Sequence, residues 1–167
     1  MTLVLPSDAV MAITADVKQW GTADVRRRGA AGVETGGFLL AVPGRSDVSA
    51  VALAGGSGIL RAPMQFMVSG GAIDCLSEWA DEHDLRIRAQ FHSHQLGSAL
   101  SPIDRAGGLR VEGFVTAVVP RFADPPGDLG LWGWWEFRRP DWTPSPRATC
   151  APGGVRTVLF DEDGIHE

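Results

Sequence analysis

Two histidines two residues apart, His92 and His94, sit in the segment Phe91-His92-Ser93-His94-Gln95-Leu96-Gly97-Ser98-Ala99-Leu100-Ser101-Pro102-Ile103-Asp104. On an extended chain, side chains at i and i+2 leave the same side, so the two imidazoles can converge on one ion at the ~2.0–2.1 Å that zinc prefers. Asp104 follows after a loop short enough to fold back. Its carboxylate would complete a three-ligand set with a fourth position left for water, the pattern of catalytic rather than structural zinc. A plainer reading stands beside this one. A lone His-x-His is more often a solvated pair on the polar face of a strand, and Ser-Pro-x-Asp is a helix start, with Ser101 as N-cap, Pro102 at the first position and Asp104 closing a capping box. The two readings of residues 101–104 are compatible, because a helix beginning there would hold Asp104 at a fixed angle.

Several elements must position these residues. From Leu85 to His94 the chain alternates: Leu85, Ile87, Ala89 and Phe91 take one parity, and Arg86, Arg88, Gln90, His92 and His94 the other. That predicts a strand with one apolar face. Upstream, Ser7 follows Pro6 and precedes Val10, Ile13, Val17 and Trp20 at intervals of three and four, which predicts an amphipathic helix. Gly36 to Val42, closed by Pro43-Gly44, reads as a buried strand, Val48 to Ala54 as its hairpin partner, and Gly55 to Pro63 as a loop. Ile73, Leu76, Trp79 and Ala80 form one stripe of a second helix over Ala72 to His83. Phe114 to Val119 and Leu129 to Phe137 read as strands joined by the Pro-rich turn Ala123 to Asp128. Arg138 to Gly154 reads as an extended connection, and Val155 to Phe160 as a last strand. In Leu131-Trp132-Gly133-Trp134-Trp135-Glu136-Phe137 one side of the strand belongs to the core. Trp132 and Trp134, on the other side, read either as a partner-binding patch or as packing under the Pro-rich tail. The order α-β-β-α-β-β-β predicts a mixed α/β (α+β) fold, one sheet flanked by helices.

With these residues in place, the sequence resembles the JAB1/MPN/Mov34 metalloprotease domains that carry the JAMM motif, a Glu upstream of His-x-His followed by Ser-x-x-Asp. His92, His94, Ser101 and Asp104 fall on the motif positions in order, and Glu34, in Val33-Glu34-Thr35-Gly36-Gly37-Phe38-Leu39-Leu40, is similar to the family's Glu-x-x-Gly-x-Leu-Leu pattern. Taken alone, Glu34 reads as a solvated charge before a strand. Six residues, Gln95 to Leu100, separate His94 from Ser101 where the family usually has seven, and Gln95 stands where prokaryotic members commonly carry Pro. The Ser-x-x-Asp spacing is intact.

The resemblance covers about Leu3 to Phe137, is strongest to the short prokaryotic JAB proteins, and implies the family's cytidine-deaminase-like sheet. It divides the chain into a JAB/MPN domain at 1–140 and a Pro-rich C-terminal extension with a final strand at 141–167. It implies Zn2+ held by His92, His94 and Asp104, with Glu34 as general base and Ser101 hydrogen-bonding the oxyanion or the water. It further implies a zinc metallopeptidase that cleaves the peptide or isopeptide bond after the C-terminal glycine of a ubiquitin-like protein or its conjugate, encoded beside E1-like and E2-like proteins. Two alternatives stay open: a catalytically silent scaffold, and a hydrolase that processes a sulfur-carrier protein.

Composition narrows the setting. At 167 residues, 44% hydrophobic and 21% charged, the chain suits one globular domain. Its apolar runs stop short of the ~20 residues needed to span a bilayer, and no basic, apolar leader opens it, so neither a membrane span nor a signal peptide is expected. A net charge of −5 argues against a partner bound through phosphates, and Arg26-Arg27-Arg28 reads as a solvated face. Cys75 and Cys150 match no metal pattern and read as reduced thiols of a cytoplasmic protein. A single lysine, Lys18, among fifteen basic residues fits the codon bias of a GC-rich bacterial genome.

Overall fold

In chain order the structure, a computed structural model that describes residues 11–145, 148–151 and 154–167, runs β1 (Met11–Thr14), α1 (Ala15–Ala30), β2 (Gly36–Ala41), β3 (Ala50–Ala54), β4 (Ile59–Ala62), β5 (Gln65–Val68) and α2 (Gly70–Glu82). It continues through β6 (Arg86–Ser93), α3 (Pro102–Gly107), β7 (Val115–Val119), a 3-10 turn at Leu129–Leu131, β8 (Gly133–Arg138), β9 (Asp141–Pro144), β10 (Ala148–Ala151), β11 (Arg156–Asp161) and β12 (Gly164–His166). Eight strands form one mixed sheet in the order β12-β11-β3-β2-β6-β7-β8-β9. Within it β3–β11 and β6–β7 are parallel, and the other neighbours antiparallel. The remaining strands pair as two ribbons, β1–β10 and β4–β5. The result is a mixed α/β domain with helices on both faces of the sheet. No helix among the described residues is long and apolar enough to cross a membrane.

The two faces carry separate cores. On one, Leu76, Trp79 and Ala80 of α2 pack against Phe38, Leu40, Ile87, Val158 and Phe160. On the other, Val25 of α1 packs with Leu39, Val51, Phe91, Val119, Trp132 and Trp134. Each buried Val, Leu, Ile or Phe side chain contributes about 1.5–3 kcal/mol relative to exposure, so both faces must be covered. β6 lies near the middle of the sheet with β2 and β7 beside it, which makes it a rigid platform.

Several local outcomes differ from the sequence expectation. The helix expected from Ser7 onward starts only at Ala15, because Met11–Thr14 pairs in parallel with Ala148–Ala151; Ser7 and Val10 lie outside the described residues. The helix then runs through the Arg26–Arg28 stretch, where Arg26 and Arg27 face solvent as expected. The stretch expected as a loop at Gly55 to Pro63 contains β4, which turns at Pro63 and pairs with β5. The connection Arg138 to Gly154 holds β9, added to the sheet edge on β8, and β10. β12 carried too short an apolar signal to be expected.

Trp132 and Trp134 are inside. Their rings stack at 6.0 Å, and their indole N–H groups donate to the carbonyls of Pro126 and Leu129. Packing, and not a partner-binding patch, is therefore the outcome for this pair. Cys75 is a free thiol; the side chain of Cys150 lies outside the described residues.

Strand β6 is where the expectation changes most. A single apolar face was expected, yet both faces are largely buried. Leu40 pairs with Ile87 and Leu39 with Ala89, so Arg88 is an extra residue in the ladder. The bulge reverses the parity. Leu85 and Ile87 join the α2-side core, whereas Ala89 and Phe91 join the α1-side core. Gln90 and His92 are thereby turned to the face of Phe38 and Ile73. A bulge that re-aims a side chain beside a functional site is a recurrent use of this irregularity.

Candidate metal centre

Three segments meet at the end of β6. The first is β6 itself: His92 pairs opposite Gly36 on β2 and Val118 on β7. Just past the strand, the His94 N–H donates to the Val119 carbonyl while its own carbonyl accepts from the Phe122 N–H. Both histidine backbones are therefore held, and their side chains are largely buried.

The second segment leads out of α1. That helix ends in a Schellman motif, with Gly32 at φ +76°, its N–H donating to the Gly29 carbonyl, and the Val33 N–H donating to Arg28. The sharp stop places Glu34 two residues before β2. There the Glu34 N–H donates to the Ala62 carbonyl of β4 at 3.0 Å. Thr35 is bonded to Ser93, the residue between the two histidines: the Ser93 hydroxyl accepts the Thr35 N–H at 3.0 Å, and the Ser93 N–H donates to the Thr35 carbonyl at 2.8 Å.

The third segment is the loop Gln95 to Leu100 with α3. Ser101 caps the helix, its hydroxyl accepting the Asp104 N–H at 3.1 Å, and Asp104 Oδ2 accepts the Ser101 N–H at 2.7 Å. The capping box expected from the sequence is present. The six-residue loop closes because Ser98 is tied down from β8, where the Trp135 indole donates to its carbonyl at 3.1 Å. A Cβ on Gly133 would stand 1.9 Å from that same oxygen, so glycine is required for the approach. Leu100 is buried and anchors the other end.

Together these segments bring His92, His94 and Asp104 to one point, with their donor atoms all within 4.8 Å of one another. The two Nε2 atoms are 3.0 Å apart, His92 Nε2 is 3.3 Å from Asp104 Oδ1, and His94 Nε2 is 3.1 Å from Asp104 Oδ2. Donors on a tetrahedral ion with ~2.0–2.1 Å bonds stand roughly 3.3 Å apart, and each of these three distances is near that edge, the two to Asp104 running to different oxygens of its carboxylate. Two imidazoles and one carboxylate favour zinc over the all-oxygen shells of magnesium or calcium. The residues fit the ion.

Electrostatics follow from the crowding. Burial alone would raise the Asp104 carboxyl, but hydrogen bonds from His92 and His94, the charge of His92 and the Ser101 N–H outweigh it and hold Asp104 well below the usual carboxylate range. Burial pulls His94 down, yet its hydrogen bond to Asp104 and the charges of Glu34 and Asp104 raise it above 6.5. Glu34 is only 4% exposed, and its Oε2 is buried without a hydrogen-bond partner. Burial pushes its carboxyl from about 4.5 to about 7; His94 opposes the rise and Asp104 adds to it. A carboxyl of that kind exchanges its proton near neutral pH.

Next to the centre lies a cavity of about 130 Å³ whose wall includes His92, Asp104, Phe38, Leu100, Ile103 and Trp142. Three residues in contact with the segments around the site carry little signal in the sequence: Ser93, bonded to Thr35; Arg61, whose Nε donates to Thr35 Oγ1; and Trp135, bonded to Ser98. Ser93 was hidden between two more conspicuous residues, although its parity opposes theirs. Arg61 carried one signal, a lone charge in the apolar run Ile59-Leu60-Arg61-Ala62. Trp135 was assigned to the core side of its strand without its link to Ser98.

No protein-family model and no curated protein matches this chain. Solved structures do. The solution structure of protein DSY2949 from Desulfitobacterium hafniense superposes with a TM-score of 0.60 at 14% identity, over 84% of this chain and 94% of that one. A solution structure of a Salinibacter ruber protein gives 0.54 at 18% identity, over 87% and 91%. AF2198 from Archaeoglobus fulgidus, a JAB1/MPN domain protein, gives 0.47 at 11% identity, over 90% and 100%. The first two likenesses show a shared fold. The class that fold and site define is a single-domain mixed α/β protein in which two histidines and an aspartate could hold a metal ion.

Proposed function

We propose that this chain is a zinc-dependent peptidase or isopeptidase of the cytoplasm that cleaves after the C-terminal glycine of a ubiquitin-like protein or its conjugate. The observation that carries the reading is the convergence of His92, His94 and Asp104 beside a buried Glu34 whose carboxyl is raised to about 7. The substrate class rests on the resemblance of Glu34, His92, His94, Ser101 and Asp104 to the JAMM motif.

A zinc ion in this donor set supplies Lewis acidity toward water and the scissile carbonyl. The protein's own residues do the rest. Glu34 takes the proton of the attacking water and passes it to the leaving amine, a role for which a pKa near the working pH is best. Ser101 uses one lone pair to accept the Asp104 N–H, which leaves its hydroxyl proton free to donate to the developing oxyanion. Asp104, held ionised, keeps its ligand role across the working pH range.

The test is a pair of variants and a panel of fusions. Glu34→Gln retains one zinc per chain and loses about 10²- to 10⁴-fold in turnover, whereas His94→Ala loses the metal. In ubiquitin-like fusions, a bulky residue in place of the final glycine abolishes cleavage, while changes just after the bond are tolerated. A Glu34→Gln protein as active as the parent removes the assigned base. Equal tolerance on both sides of the bond removes the ubiquitin-like tail, and cleavage confined to a sulfur-carrier fusion selects that substrate. A parent that binds zinc and cleaves nothing is a scaffold.

A further inference from the structure

Glu34 Oε2 is buried without a hydrogen-bond partner, while the residue's backbone N–H is bonded to Ala62. Its backbone and that of Thr35 are gripped from two sides. Ser93 of β6 holds Thr35 through the amide and carbonyl bonds described above, which fixes the register of Glu34 to the two histidines. From the opposite side comes the β4–β5 ribbon, through Ala62 and Arg61. The Ala62 carbonyl takes the Glu34 N–H. Arg61 spreads its guanidinium over three acceptors: Nε donates to Thr35 Oγ1 at 3.1 Å, Nη1 to the Gly55 carbonyl at 2.8 Å, and Nη2 to the Ala54 carbonyl at 2.5 Å. The Thr35 hydroxyl donates onward to Asp24 Oδ2 at 3.4 Å.

A two-stranded ribbon has little stability of its own, so something must fasten this one to the sheet. The apolar fastening is Phe66 of β5: a Cβ built on Gly36 would stand 2.7 Å from its ring, so Phe66 occupies the space that glycine leaves open. The polar fastening is Arg61, whose planar fork reaches the end of β3 and the start of β2 at once. Burial drives the guanidinium toward losing its charge, with Arg28 and Arg27 adding to that and Asp24 opposing it; the three hydrogen bonds engage one N–H on each of its three nitrogens.

We propose that Arg61 is a positioning residue: by locking the β4–β5 ribbon onto Thr35 and the end of β3, it keeps the Glu34 backbone pinned to Ala62 and sets Glu34 against the His92, His94 and Asp104 cluster. The inference rests on the reading of Glu34 as the proton carrier. Arg61 touches none of the three ligand residues, so its loss separates proton transfer from metal binding.

Arg61→Ala and Thr35→Val are compared with the parent in three measurements: amide hydrogen exchange, zinc affinity by competition with a chromophoric chelator, and steady-state kinetics on a ubiquitin-like fusion. Arg61→Ala speeds exchange of the Glu34 amide at least tenfold while the α2 amides keep their protection. It leaves zinc affinity within threefold and lowers kcat by ten- to a hundredfold with KM within threefold. Arg61→Lys recovers only part of the loss, since one ammonium cannot serve three acceptors in this geometry. Thr35→Val keeps the side-chain shape, tests the same link if Arg61→Ala does not fold, and gives the same pattern at smaller size. The proposal is overturned if the Glu34 amide stays protected in both variants, or if zinc affinity falls in step with kcat. A parent that cleaves nothing overturns the proposed function, and the exchange and zinc arms still decide the role of Arg61.

Discussion

Above about pH 4.5 the buried carboxyl of Glu34 costs the folded protein stability. An ordinary glutamate loses its proton near 4.5, but folding holds this one protonated to about 7. Between those values the folded state binds more protons than the unfolded state, so Glu34's contribution is full below about 4.5 and is lost as pH rises through 7. The metal-free Glu34→Gln protein has no such dependence. Its advantage over the parent is therefore nil at pH 4.5 and grows to at most about 3 kcal/mol at pH 8. Urea titrations at both pH values in the presence of chelator measure the difference, and an equal gap at the two would mean that Glu34 is solvated in solution. At this scale the sequence was informative: His92, His94, Ser101 and Asp104 stand in one short stretch, and side-chain type alone limits what such a group can bind. It offers nothing for Ser93, whose hydroxyl accepts a backbone N–H, and only a lone charge in an apolar run for Arg61, because a side chain's hydrogen bond to a distant backbone group leaves no periodic pattern in the sequence.

Among the elements, strand β8 does more for the centre than its position two strands away suggests. Trp135 donates to the Ser98 carbonyl and stacks under the Arg105 guanidinium of α3 at 5.4 Å, so one side chain anchors both the loop before Asp104 and the helix that carries it. Trp135→Phe keeps an aromatic face and removes the indole donor. About 1 kcal/mol of stability should go with it. Zinc affinity should fall roughly tenfold, because a support of the ligand segment has been loosened although no ligand has changed. Chelator competition checks this; unchanged affinity would show that the loop holds its shape without the indole.

Element order and the long α2 stripe were legible because period and length agree. The direction in which β6 presents its histidines was not, since period two alone puts Leu85, Ile87, Ala89 and Phe91 on one face. The extra residue at Arg88 that divides them is created by pairing with β2 and carries no local signal. For the same reason β4 and β9 were read as irregular: each is short, and each is a strand only through its partner.

For the whole molecule, the parallel pairing of β3 with β11 has a consequence in time. Ala50 of β3 is matched with Arg156 of β11, so the strand beside β2 emerges from the ribosome roughly a hundred residues before its outer neighbour exists. Until then Ala50-Val51-Ala52-Leu53-Ala54, buried throughout in the finished sheet, is an uncharged open edge of the kind that recruits strands from other chains. The residues proposed for catalysis are all made before that edge is closed. A nascent chain that stalls after residue 153 carries Glu34, His92, His94 and Asp104 and is still expected to aggregate; its partition between soluble and pelleted fractions, with and without a trigger-factor-like chaperone, measures how long the edge must be guarded.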